Sequence, residues 1–376
     1  MWTIGKMSQK DSGQGTLLLS LLKGALWGIN PDPSLFGNAN WKGIVELAQI
    51  ETVSSLAADG IALLPKDLQP PLQDKLPLIA CVQANEAANK KHIETIGLIS
   101  ESLEKAGIPV AFMKGQVTGS RYPKPLHRQQ GDIDFVVRGS DMEPALQVLE
   151  SLGATADRSE IDEQHGKAFL GDVLIEPHYK IHNYQRPSTD KMVQSLFDEV
   201  FPSQLIEMDF GKKKAKVLPL EFESLFLISH IVHHVYGEGL GLRQVVDYAM
   251  FIDKCWSHID TNKHSRWLEM ARMMKPWRII ACICIDYLGT KRPTTIEPFT
   301  KKEKRQASKL LDDIISVGNF GRNGYTFHYD STIDVLKNYL WVIRRCLRLG
   351  FVCPSEARWW PFSKLYRFIG KKLNKS

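Results

Sequence analysis

Residues Gly131-Asp132-Ile133-Asp134-Phe135-Val136-Val137 constrain this chain more than any other segment. The apolar, β-branched run reads as a buried strand. On a strand, residues i and i+2 share a face, so Asp132 and Asp134 project side by side at its mouth. Two like charges that close are costly unless something neutralises them. A divalent cation does so, and magnesium favours carboxylate oxygens together with substrate phosphates. The segment therefore calls for a sheet and points to a metal–nucleotide site.

The flanking segments fit that site. Val110-Ala111-Phe112-Met113 reads as a strand that delivers Lys114-Gly115, a turn where backbone N–H groups can approach phosphate. Val173-Leu174-Ile175 runs into Glu176-Pro177-His178. Glu176 offers a third carboxylate and is preferred to Asp172 because it lies inside the apolar run, where an unpaired charge needs a reason. Two ions held by three carboxylates can clamp the attacking and leaving oxygens of a phosphoryl displacement.

Taken in order, Lys114-Gly115, Tyr122-Pro123, Arg128, Gly131-Asp132-Ile133-Asp134 and Glu176-Pro177-His178 resemble the uncharacterised nucleotidyltransferase family of the polymerase-beta-like superfamily. The likeness extends to His230–His234 with Leu242–Asp247, to Gly318-Asn319-Phe320-Gly321, and to most of the chain from Leu17 onward. It implies an α+β fold, a small mixed-sheet core flanked by N-terminal and C-terminal helical regions. It implies an enzyme that uses magnesium or manganese to move a nucleoside monophosphate from a nucleoside triphosphate, ATP among the candidates, to a hydroxyl or phosphate acceptor. A small molecule, a glycan intermediate or a peptide would serve as acceptor. Asp132, Asp134 and Glu176 would be the catalytic metal ligands. Lys114, Gly115, Gln116, Arg128 and Gly131 would hold the nucleotide phosphates. Gln116 stands where the superfamily places Ser or Gly, and the gap from the turn to Asp132 is longer than usual. That departure keeps open a catalytically silent nucleotide sensor. A helical assembly protein docking on a partner or membrane is the third reading.

Hydrophobic periodicity sets the organisation. Leu17–Leu26, Trp41–Leu64 and Gln73–Ala106 read as helices, giving an N-terminal helical region over 1–106. Alternating short strands and helices place the α/β core at 107–182. The segments Phe222–Tyr236, Leu242–Cys255, Ser265–Leu288 and Lys301–Val317 make 183–337 a helical, substrate-side domain, with Lys212-Lys213-Lys214 as a solvated loop. A basic, aromatic segment follows at 338–376.

Charge narrows the partners. The net charge is +6, yet nine Lys/Arg and one acid fall after residue 337, so the body is near neutral. A long nucleic acid is not the expected partner. In the tail, Trp359-Trp360-Pro361-Phe362 stands among Arg358, Lys364, Arg367, Lys371 and Lys372. Packing of the aromatics on the body is expected, with peripheral contact to an anionic membrane as the alternative. Six scattered cysteines and the absence of a secretory layout around Leu17–Leu22 lead to the expectation of a cytoplasmic protein with reduced thiols.

The remaining candidates belong to the cleft. His178 shares a strand face with Glu176 and can orient a carboxylate, touch substrate or simply pack; His182 follows it. His230, His233 and His234 share a helical face. No H-E-x-x-H pattern surrounds them, so lining a groove outweighs binding metal. Arg243 and Asp247, at i and i+4, are expected to pair on the next helix, with cleft contact as the alternative. Gly237, Gly239 and Gly241 follow a helix rather than a strand, which excludes the dinucleotide context and leaves a flexible turn.

Overall fold

The computed structural model describes residues 9–158, 165–181, 184–321 and 331–373. His182 and the side chains of Arg367, Lys371 and Lys372 fall outside that description. The chain opens with helices α1 (Gln9–Trp27), α2 (Trp41–Ile50), α3 (Ser54–Ala62) and the long α4 (Leu72–Lys105). The sheet region follows: β1 (Ala111–Met113), α5 (Gly115–Gly119), β2 (Ile133–Val136), α6 (Met142–Ser151), β3 (Thr155–Asp157), β4 (Lys167–Leu170) and β5 (Val173–His178). Next come α7 (Pro187–Val200), β6 (Ile206–Phe210) and β7 (Lys213–Val217). The rest is helical: α8 (Leu220–Tyr236), α9 (Leu242–Cys255), α10 (Thr261–Met270), α11 (Met274–Cys282), α12 (Lys301–Val317), α13 (Thr332–Leu349) and α14 (Pro354–Leu373).

The sheet is mixed and seven-stranded, in the order β3-β4-β5-β2-β1-β7-β6. This is the α+β architecture expected, but the sheet does not end at residue 182. The hairpin β6–β7 adds to its edge, with β7 parallel to β1. The lysine run thus begins in the hairpin turn and continues into a strand, where Ala215 and Val217 point inward. Lys213 lays its stem over Gly97 of α4, so the charges mask a strand whose alternate positions are apolar. Two expected helices are also split. Trp41–Leu64 breaks at Thr52 (φ 57°), and Ser265–Leu288 breaks at Arg272 (φ 58°). No Gly or Pro announces the break at Thr52, whereas Pro276, in the first turn of α11, follows the one at Arg272.

Strand periodicity sorts the core. Ile133, Phe135 and Val137, with Phe112 and Ile175, face α4 and α6, where they meet Ile96, Ile99, Leu146 and Leu149. The intervening residues Ala111, Met113 and Val136 face the other way, into the large core built around α8, α9 and α11. Asp132 and Asp134 have the parity of Val136, so the fold sends the carboxylates toward the helical domain. Two buried ion pairs fasten that domain to the sheet region. Arg121 is bidentate on Glu223 of α8 (2.6 and 2.7 Å), and Arg128 is bidentate on Asp247 of α9 (both 2.8 Å). All six cysteines are free thiols. Among the described residues no helix is long and apolar enough to cross a membrane.

Candidate functional site

The sheet and the helical domain enclose a cleft of about 490 Å³. Its sheet wall comes from the ends of β1, β2 and β5. Strand β2 runs parallel to β5 with Asp134 opposite Glu176 and Val136 opposite His178. Cross-strand partners on one face sit side by side, so this register brings the second aspartate and the glutamate together. Donor atoms of Asp134, Glu176 and His178 all lie within 4.8 Å of one another. Asp132 lines the same wall, but the converging trio contains His178 in its place.

Asp134 is buried and already partnered. Its Oδ1 accepts from Lys114 Nζ (2.7 Å) and from His178 Nε2 (2.9 Å). Burial alone would raise its carboxyl, but Lys114 and His178 outweigh burial and hold it at about 2. Lys114 reaches Asp134 from the turn between β1 and α5, where it and Gly115 both have positive φ (50° and 37°). A lysine in that conformation is strained, and such strain persists where the surroundings over-determine it. Burial works against the Lys114 ammonium, yet Asp134 and Asp132 together raise its pKa. Its Nζ also stands 5.8 Å from the centre of the Phe226 ring.

Among the described residues Glu176 has no lysine or arginine within ion-pair distance, and His165 Nε2 stands 3.9 Å from its Oε2. Burial first, then the charges of Asp132 and Asp134, push its carboxyl up to about 8. The sheet wall therefore holds more carboxylate than the side chains around it neutralise. Two carboxylates and an imidazole form a donor set that a divalent cation accepts. Both bonds to Asp134 end on Oδ1, which leaves Oδ2 for a cation. The residues present fit a metal ion.

The helical wall carries the other expected residues. His230, His233 and His234 of α8 all line the cleft. His230 Nε2 and His234 Nε2 are 3.1 Å apart, and the His233 ring lies 5.0 Å from that of Trp360. Burial, then the neighbouring His233 and Lys114, lowers His234 well below the usual imidazole range, so it is neutral at pH 7. Arg243 and Asp247 line the cleft but do not pair as expected. Asp247 takes Arg128 and the Tyr122 hydroxyl (2.7 Å) instead, because the loop 125–130 is held there by Asn89 of α4. Arg243 donates to the Gln129 carbonyl (3.0 Å), and its Nε is buried with no hydrogen-bond partner. Burial and the Arg128 charge beside it lower the Arg243 pKa. Among the described residues the cleft thus offers a cation with no carboxylate bound to it, across from the carboxylates of the sheet wall.

The Gln116 side chain does not face the cleft: one helical step beyond Gly115 turns it into the interior, 2.9 Å from His92 Nδ1 of α4. Gly131 and Gly115 remain at the cleft. Asp172 sits in the exposed turn between β4 and β5 and pairs with Lys91. The glycine run is not a free turn. A Cβ on Gly239 would meet Gly318 O at 2.8 Å and Gly321 N at 2.9 Å, and one on Gly241 would meet Asn319 at 2.6 Å. The two glycine segments interlock, and Phe320 is held at φ 55° with its ring 5.3 Å from His234 at the cleft. Phe320, His165, Lys167, Glu238 and Gln244 also line the cleft and were not singled out as site residues. The positive φ that marks Phe320 has no signature in sequence, and His165 and Lys167 lie in a stretch with weak periodicity.

A family model described as uncharacterised nucleotidyltransferase matches residues 37–289, which span β1 to β5, α8 and α9. No curated protein matches the chain.

Proposed function

This chain belongs to the uncharacterised nucleotidyltransferase family, and from that membership we propose that the cleft transfers a nucleoside monophosphate from a nucleoside triphosphate to a hydroxyl or phosphate acceptor. The observation that carries this reading is the register of β2 on β5, which sets Glu176 opposite Asp134 with Asp132 on the same face. Asp134, Glu176 and His178, with Asp132 beside them, would hold a magnesium or manganese ion. Such an ion supplies charge neutralisation at the phosphates and at the attacking oxygen.

The chain's own groups do the rest. Lys114 fixes Asp134 and adds positive charge where the turn at 114–115 meets the cleft. Arg243, and Arg128 behind it, face the triphosphate and offset its charge. The acceptor oxygen attacks the α-phosphorus, the bond to the β-phosphate oxygen breaks, and pyrophosphate leaves. The hydroxyl proton passes to Glu176, the carboxylate at the end of β5 that carries no hydrogen-bonded lysine or arginine among the described residues. Catalysis is positioning and electrostatics, with no covalent intermediate on the protein. The test is incubation with magnesium, α-labelled triphosphates and a cell extract, scored for pyrophosphate release and for the labelled acceptor. Release by the wild type and its loss in Asp132→Asn support the reading. A fully active Asp132→Asn protein removes it.

A further inference from the structure

Helices α13 and α14 carry the chain's entire charge excess and a face of large apolar side chains. After residue 337 the sole acid is Glu356, which is buried and accepts from the Gln185 amide (2.7 Å). Asp334, at the start of α13, is engaged by Ser331 and Lys337. The outward charge of this region is therefore positive, with Arg344 and Arg358 exposed.

The inner sides of the two helices are satisfied. Val342, Cys346 and Leu349 join the core, and Trp360 is buried against His233 and Tyr236. The outer sides are not. On α13, Leu336 (55% exposed), Leu340 and Leu347 (81%) recur at helical spacing. On α14, Trp359, Phe362 (65%) and Leu365 continue the exposed apolar surface. An open groove of about 300 Å³, lined by Ile343, Leu347, Ala357 and Pro361, joins the two. The packing expected for the tail aromatics is thus met by Trp360 and not by Trp359 or Phe362. Soluble monomers rarely expose contiguous apolar surface of this kind without an occupant.

We propose that α13 and α14 form a docking face for an anionic membrane surface, with Leu347, Phe362 and Leu365 entering the headgroup boundary and Arg344 and Arg358 meeting lipid phosphates. Charge complementarity selects this occupant. A face of aromatics and leucines that bears the exposed cations Arg344 and Arg358 among the described residues is the composition of helices that lie in the plane of an anionic bilayer. The protein lies on the membrane and does not span it in this region.

The test is flotation of the full chain with phosphatidylcholine vesicles, with and without phosphatidylglycerol. The wild type floats with the anionic vesicles and is released by salt. Leu347→Glu/Phe362→Glu abolishes flotation while nucleotide binding and melting temperature stay unchanged. Arg344→Ala and Arg358→Ala each weaken partitioning roughly fivefold. Failure of the wild type to float, or equal flotation of the glutamate variant, overturns the proposal. So does a dimer that the glutamate variant dissociates in the absence of vesicle binding, since a second copy would then cover the face.

Discussion

Asp134→Asn separates the two roles that one carboxylate plays here. In the wild type, Asp134 is both a candidate metal ligand and the anion that pairs with Lys114 and accepts a hydrogen bond from His178. Its carboxyl is held at about 2 against an ordinary 3.8. At 1.36 kcal/mol per unit, the ionised form stabilises the fold by about 2–3 kcal/mol over a neutral group at this site. A depressed carboxylate pKa gives stability that is complete above 3.8 and lost as pH falls through about 2, so the whole amount is present at neutrality. Asparagine mimics the neutral group, and Asp134→Asn should lose about 2–3 kcal/mol in urea unfolding at neutral pH with a chelator present. Among the described residues Asp132 has no paired cation, and Asp132→Asn should change stability by no more than about 0.5 kcal/mol. Both variants should lose pyrophosphate release. Adding Lys114→Met to Asp134→Asn should cost less than Lys114→Met alone, since the ammonium it removes is already stranded. If Asp134→Asn unfolds like the wild type in chelator, the ion-pair account of the sheet wall is wrong.

Other consequences can be measured independently. Glu51 is fully buried and accepts from the Leu242 amide at the start of α9 (2.7 Å), and burial pushes it up to about 8 from 4.5. The folded state then keeps a proton that the unfolded chain gives up, so stability should fall by about 1.4 kcal/mol per pH unit between roughly 5 and 8. Glu51→Gln should remove that slope in urea unfolding, and equal slopes would refute it. Asp247→Ala strands the buried Arg128 and should cost about 3–5 kcal/mol, read by thermal unfolding, with weaker nucleotide binding read by fluorescence. Gly239→Ala forces a Cβ into the 318–321 backbone at φ 117° and should cost about 1–3 kcal/mol. Faster amide exchange confined to 237–241 and 318–321 would report it, and unchanged exchange would contradict the interlock.

Local pattern made some of this legible. The period of two in 131–137 identifies β2 and puts Asp132 and Asp134 on one face without any tertiary information. Apolar runs mark β1 and β5, and α4, α9 and α12 match their sequence periodicity to within a residue or two. Elements whose local chemistry contradicts their setting were hidden. Lysines disguise β7, and the helix breaks at Thr52 and Arg272 use left-handed residues that local preference would not choose.

The sequence by itself determined which carboxylates share a strand face and where the strand delivering Lys114 ends, because those follow from backbone geometry over a few residues. The tertiary structure alone decided that Glu176 lies opposite Asp134, that Lys114 and His178 share one oxygen of it, and that Arg128 belongs to Asp247, 119 positions away. It also turned Gln116 inward and pressed one glycine segment against another to present Phe320. Strand register and buried charge pairing depend on which distant segments pack together, and no local period in the chain encodes that choice.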